Sequence, residues 1–255
     1  MLNMMNPDVP GLKKIDNGRT CPKCGTKLYD QQVGFGIVIP MKCECEIAEI
    51  KKQEEAEKER KRQERIERNR QGSGIPTKQR KQTFDNFAAR QGVLKALSAS
   101  KEYAERFPKV THGILFIGPC GSGKTHLASA IGHEVLEKGY TVKFISAYEL
   151  YIAVLNTYKG FEESEAELTE PLKRCRLLII DDIGTTPPTD KSKAVLHSII
   201  EYRMNYEKPT LLTSNLTLDE LADKLDSRTI DRLYEGFKTY LLQQMSYRKI
   251  VNRKE

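Results

Sequence analysis

The sequence predicts an α/β fold around a parallel sheet, preceded by a small cysteine-bearing module and a charged helix. Three observations predict it. From residue 77 onward, short apolar runs alternate with amphipathic stretches, the pattern of strands joined by crossover helices. Residues 46–70 are almost wholly polar, and residues 1–45 hold turn residues with four of the six cysteines. The expected division is therefore 1–45, 46–75 and 76–255, one full domain with a small satellite, as 255 residues allow.

Composition narrows the class. Apolar residues make up 38% and charged residues 30%, and the formal net charge is +7. The longest stretch free of Asp, Glu, Lys and Arg, Val110–Gly123, has 14 residues, whereas a membrane span needs ~18. Residues 1–16 lack the apolar run of a secretory signal. The expectation is a soluble, cytoplasmic protein with no membrane partner. The basic excess lies on two flanks, Lys78–Arg90 and Lys238–Lys254, which either meet phosphates or form a solvated surface.

In chain order, Cys21-Pro-Lys-Cys24-Gly is a knuckle, with two thiols two residues apart and glycine easing the turn. Cys43-Glu-Cys45 supplies a second pair, CxC in place of the more usual CxxC, and Gly34–Met41 between them suggests a strand or hairpin. Four thiolates can close a tetrahedral Zn²⁺ shell, which would substitute for the core that 45 residues cannot build. Free cysteines or a redox pair are the alternatives. Cys120 and Cys175 stand apart as small apolar residues.

Residues 46–70 carry only Ile47, Ala48, Ile50, Ala56 and Ile66 as apolar positions. Glu54–Lys58, Glu57–Lys61 and Glu64–Arg68 are i,i+4 pairs in the favourable order. This predicts a solvent-exposed helix, ended by the linker Gln71-Gly-Ser-Gly-Ile-Pro76.

The chemistry begins at Gly113-Ile-Leu-Phe-Ile117, an apolar run leading directly into Gly118-Pro119-Cys120-Gly121-Ser122-Gly123-Lys124-Thr125 and a helical pattern. GxxxxGK[ST] between strand and helix is a phosphate-binding loop. Its glycines let backbone N–H groups wrap phosphate oxygens, Lys124 would reach the β and γ phosphates, and the Thr125 hydroxyl would hold Mg²⁺. Leu177-Leu-Ile-Ile-Asp181-Asp182 reads as a buried parallel strand delivering carboxylates to its end. Asp181 would hold Mg²⁺ through water, and Asp182 would orient or activate the attacking water. A third strand, Pro209-Thr-Leu-Leu-Thr-Ser-Asn215, ends in an amide suited to the γ-phosphate or that water.

The motifs GPCGSGKTHLA, LLIIDDIG, TLLTSN, SRTIDRLYEG and SYRK, with Thr83-Phe-Asp-Asn-Phe87 upstream, resemble the AAA+ ATPases of the DnaC/DnaI helicase-loader group over residues ~75–250. The resemblance implies a P-loop AAA+ core with a five-stranded parallel sheet (αβα), preceded by a small zinc-binding module and a charged helical linker. It implies Walker A at Gly118–Thr125, Walker B at Asp181-Asp182, sensor 1 at Asn215 and sensor 2 at Arg248. Arg232 matches the arginine finger that reaches a neighbouring subunit's ATP, with Arg228 one turn away on the same face. Phe84, Asn86 and Phe87 would flank the adenine, the two phenylalanines alternatively just docking the linker. Tyr158 and Lys159 are candidate DNA contacts, or part of a plain surface helix.

By the same resemblance, residues 1–45 grip a hexameric replicative DNA helicase. The ATPase domain would self-associate on single-stranded DNA in the initiation of replication. Asp182 stands where AAA+ ATPases usually carry glutamate, which fits slow turnover and ATP acting as an assembly switch. An IstB-like transposition helper ATPase and a non-hydrolysing ATP-binding adaptor are the competing readings.

Overall fold

The computed structural model describes residues 13–33, 36–159, 164–185 and 189–243, with only the backbone of 158 and 159. The chain forms two compact units, residues 1–63 and 64–255.

In the first unit, β1 (Lys13–Thr20), β2 (Lys27–Val33) and β3 (Ile37–Pro40) form an antiparallel sheet in that order. The hairpin expected between the cysteine pairs is β2–β3. Strand β1 carries no strand signal, because Ile15 is its one apolar residue. It is held by the backbone ladder and by polar pairs to β2: Asn17 and Arg19 on Asp30, and Asp16 on Lys27. The charged run forms α1 (Glu44–Gln71), in which Glu57 pairs with Lys61 at 3.2 Å as expected and also with Arg60 at 2.8 Å.

In the second unit the last turns of α1 are packed. Ile66 is buried, Asn69 donates to the Gly139 carbonyl at 3.1 Å, and Arg70 pairs with Glu137. The glycine-rich segment that follows does not hang free. It lies along the sheet edge at β5 (Val142–Ser146), where Phe144 N–H donates to Ser73 O at 2.7 Å and Lys143 Nζ to Gly72 O at 2.6 Å. Gly74 (φ +72°) is required there, since a Cβ would stand 2.7 Å from the Phe144 carbonyl oxygen. Ile75 is buried, and the segment covers an edge that would otherwise expose its ladder.

The sheet is five-stranded and parallel, as predicted. Its order is β5-β6-β7-β4-β8, with β4 (Gly113–Ile117), β6 (Leu177–Asp181), β7 (Thr210–Ser214) and β8 (Phe237–Leu241). Alternation along the strands fills two cores. Phe116 and Ile179 face α3 (Lys124–Glu137) with Leu127 and Ile131, and Leu115, Leu178, Ile180 and Leu212 lie in the core that holds Ile199 of α6 (Asp190–Asn205). Helices α2 (Leu94–Arg106), α4 (Ala147–Lys159), α5 (Glu165–Arg174), α7 (Leu218–Lys224) and α8 (Ser227–Gly236) complete the layers. Ligands in such sheets bind outside the strands' carboxyl ends.

One buried side chain holds the opposite end together. Arg203, fully buried, donates to Thr210 Oγ1 at 2.8 Å and to the carbonyls of Leu172 (2.8 Å), Lys173 (3.1 Å), Cys175 (2.9 Å) and Pro209 (2.6 Å). It thereby satisfies the open carbonyls at the end of α5 and the entry to β7. Arg203→Met leaves those acceptors unpaired. It is expected to cost roughly 3 kcal/mol and lower Tm by roughly 6–12 °C in thermal unfolding; an unchanged Tm would contradict this role.

Candidate functional site

Three strand ends meet at the site. β4 runs into residues 118–123, tied on both sides by Gly118 N–H to Ser214 O (3.2 Å) and Leu242 N–H to Ile117 O (2.7 Å). Gly123, at φ +103°, turns the loop into α3 through a conformation that side-chain-bearing residues rarely adopt. The first N–H groups of α3 have no helical partner, so this end of the helix can receive an anion.

The expected residues converge here. Lys124 is 4% exposed. Its ammonium donates to Gly118 O (2.9 Å), Pro119 O (3.1 Å) and Asn215 Oδ1 (2.6 Å). Asn215 Nδ2 in turn reaches Asp182 Oδ1 at 3.4 Å. Beside this chain, Asp181 Oδ1 accepts from Thr125 Oγ1 at 2.8 Å and from Thr213 Oγ1 at 2.6 Å. Burial pushes the Asp181 carboxyl above its ordinary range, and the two hydroxyls act in the opposite direction. A carboxylate and a hydroxyl this close are the hard oxygen donors that suit Mg²⁺.

Two features escape the sequence reading. Thr213 Oγ1 also accepts the Asp182 N–H at 2.8 Å, so one hydroxyl holds both aspartates. The signal was parity, because Thr213 and Asn215 lie two apart and share a strand face. Asp182 also sits at φ +57°, which swings the chain sharply aside at the end of β6.

Residues 83–87 are docked on α3. Thr83 N–H donates to Asn86 Oδ1 at 2.9 Å, and Asn86 Nδ2 to Lys81 O at 2.5 Å, so the amide of exposed Asn86 braces its own turn. Burial lowers the pKa of His126, whose Nε2 lies 2.7 Å from Thr83 O and, as the N–H tautomer, donates to it. Phe87 is buried with its ring edge-on to His126 at 5.0 Å, and Phe84 packs against the same core.

Arg232 is paired within its own chain, to Glu201 of α6 at 3.2 Å and to Glu235 at 2.7 Å. Arg228 is exposed one turn earlier on α8. Arg248 and the side chains of Tyr158 and Lys159 lie outside the described residues.

In the first unit, the sulfurs of Cys21, Cys24, Cys43 and Cys45 all lie within 4.8 Å of one another, with none in a disulfide. A Zn–S bond of ~2.3 Å makes a tetrahedral edge of about 3.8 Å, so the set fits zinc. The Cys24 backbone N–H, followed by Cys43, holds the Cys21 thiol down to about 6, while Cys43 and its neighbours push Cys45 up. Thiols this crowded cannot all ionise without a cation among them.

Known proteins share sequence and fold with this chain. The profile of the IstB-like ATP binding protein family matches residues 43–254. The replicative helicase loader DnaC of Escherichia coli is 30% identical over 193 residues, 75% of this chain and 79% of that one. A crystal structure of the DnaC helicase loader superposes with TM-score 0.60 at 22% identity, over 66% of this chain and all of that one, and shows the shared fold. The replication initiator DnaA bound to AMPPCP and single-stranded DNA superposes with TM-score 0.60 at 25% identity, over 71% of this chain and 55% of that one.

Metal analysis of the purified chain is expected to find about one zinc per molecule. Cys43→Ser should release it and unfold the first unit, while the second unit keeps its melting transition. A correctly folded chain free of zinc would contradict the assignment.

Proposed function

The chain belongs to the IstB-like ATP-binding family, and from that premise we propose that it loads a replicative DNA helicase, using ATP to control its own assembly. The observation that carries this reading is the 193-residue similarity to the DnaC loader, which covers 75% of this chain. The triphosphate lies along residues 118–125 with Lys124 on its outer phosphates. Thr125 and, through water, Asp181 would hold Mg²⁺, which would offset phosphate charge. Arg248 is assigned to the same phosphates, and Phe84 and Asn86 border the adenine.

Hydrolysis needs a water in line with the γ-phosphorus. Asp182 and Asn215 hold it, their hydrogen bond fixing one against the other, and the γ-phosphoryl passes to water as ADP leaves. Asp182 is one methylene shorter than glutamate, so turnover is slow and the bound ATP acts chiefly as a switch. The remaining charge is met in trans by Arg232 of the next subunit. Its pairs with Glu201 and Glu235 are part-exposed and screened by water, so a triphosphate displaces them readily. Residues 1–45 grip the hexameric helicase, and the assembled ATPase domains hold single-stranded DNA, with Tyr158 and Lys159 as candidate contacts.

The family profile favours a second reading, a transposition helper of the IstB kind. The profile begins at residue 43, so Cys21 and Cys24 lie outside it and Cys43 and Cys45 within it.

Mixing two inactive variants tests the trans site. Lys124→Ala and Arg232→Ala are each expected to lose at least ~90% of ATPase activity, because a missing arginine finger costs ~10³ or more. Their mixture should recover a substantial share of the activity, since each supplies what the other lacks. Full activity of Arg232→Ala alone would contradict the proposal. Capture of a transposase with duplex DNA, and no helicase, by the full chain would favour the second reading.

A further inference from the structure

The amino ends of β6 and β7 gather charge that the sequence spreads out. Lys173, Arg174 and Arg176 precede β6, Lys208 precedes β7, and Arg203 lies between them. Arg203 is committed to the carbonyls at the end of α5, and Lys208 Nζ donates to Arg174 O at 3.1 Å. These two raise the local potential without being free to touch a ligand. Lys208 registers the crowding: burial, then Arg203 and Arg176, pull its pKa down. Glu170, paired to Arg174, is one carboxylate on this cluster, and Glu207 lies between Tyr206 and Lys208 in the chain. Among the described residues the Arg176 Nε finds no acceptor, although it is buried.

Aromatic rings stand among these cations. Tyr202 and Tyr206 lie with ring centroids 4.5 Å apart and planes 35° from parallel. Lys173 Nζ sits 5.8 Å over the Tyr202 ring, and the Arg176 guanidinium 5.8 Å over Tyr140. Tyr206 is 63% exposed, leaving ring surface open to solvent. The nucleotide groups occupy the other ends of the same strands, about 16 Å away for five residues at ~3.3 Å each.

We propose that this end of the sheet is a second anion site, for single-stranded nucleic acid, with phosphates on Lys173, Arg174 and Arg176 and a base stacked on Tyr206. Excess cations attract any polyanion, but an exposed ring beside them selects one with flat, unpaired bases. A duplex hides its base faces, and an acidic peptide has none to offer.

Fluorescence anisotropy with labelled oligo-dT, using the full chain across a salt series, tests the site. Lys173→Gln/Arg174→Gln should lower the slope of log affinity against log salt by about 1.4, at ~0.7 per phosphate contact on a single strand. Tyr206→Ala should weaken binding by roughly 5- to 100-fold. ATPase rate without DNA and the melting transition should stay unchanged in both variants, separating lost binding from lost fold. A 4-thiothymidine oligonucleotide should crosslink to the tryptic peptide containing Tyr206. Unaltered slope and affinity in both variants would overturn the proposal. So would variant-sensitive binding of polyglutamate with oligo-dT binding intact, which would assign the patch to an acidic protein segment.

Discussion

The site depends on one shared acceptor. Asp181 Oδ1 takes hydroxyl hydrogens from Thr125, at the start of α3, and from Thr213, on the adjacent strand β7. Three elements far apart in sequence are thereby fixed at one point, with the Lys124–Asn215–Asp182 chain beside it. Parallel strands make this possible, because their pairing brings the last residues of β4, β6 and β7 to the same level. The buried cores on either face hold that register, and a one-residue slip would turn Asp181 and Asn215 away from the loop. Packing and chemistry are therefore bound to each other here.

Much of this was legible in the chain because its physics is local. A phosphate loop requires glycines at fixed spacing, and buried parallel strands require unbroken apolar runs, so Gly118–Thr125 and Leu177–Asp182 announce themselves. The four cysteines were legible for the same reason, and the structure brings their sulfurs together. What escaped was held by non-local or backbone effects. Strand β1 has almost no apolar residues and exists through pairing to β2. Thr213 matters for hydrogen bonds across 31 and 32 residues of sequence, to Asp182 and Asp181. The positive φ of Asp182 belongs to the turn and not to the aspartate.

Charge shows the same division. The formal +7 sits, by sequence, on two basic flanks, while the long middle looks neutral. Folding redraws that picture, because the cations at 173, 174, 176, 203 and 208 come together at one end of the sheet while the carboxylates at 181 and 182 go to the other. The two ends of β6 thus carry opposite character. Arg232, basic by count, is neutralised by Glu201 and Glu235 in the lone chain. Net charge alone would have predicted neither arrangement.

The central proposal is that a single chain leaves its ATP site unfinished and that Arg232 of a neighbour completes it. The most direct measurement is ATPase rate per chain as a function of protein concentration, with single-stranded DNA present at saturation. A site completed in trans gives a rate that climbs steeply with concentration and levels off once neighbours are in place. A rate per chain that stays flat from dilute monomer upward would contradict it.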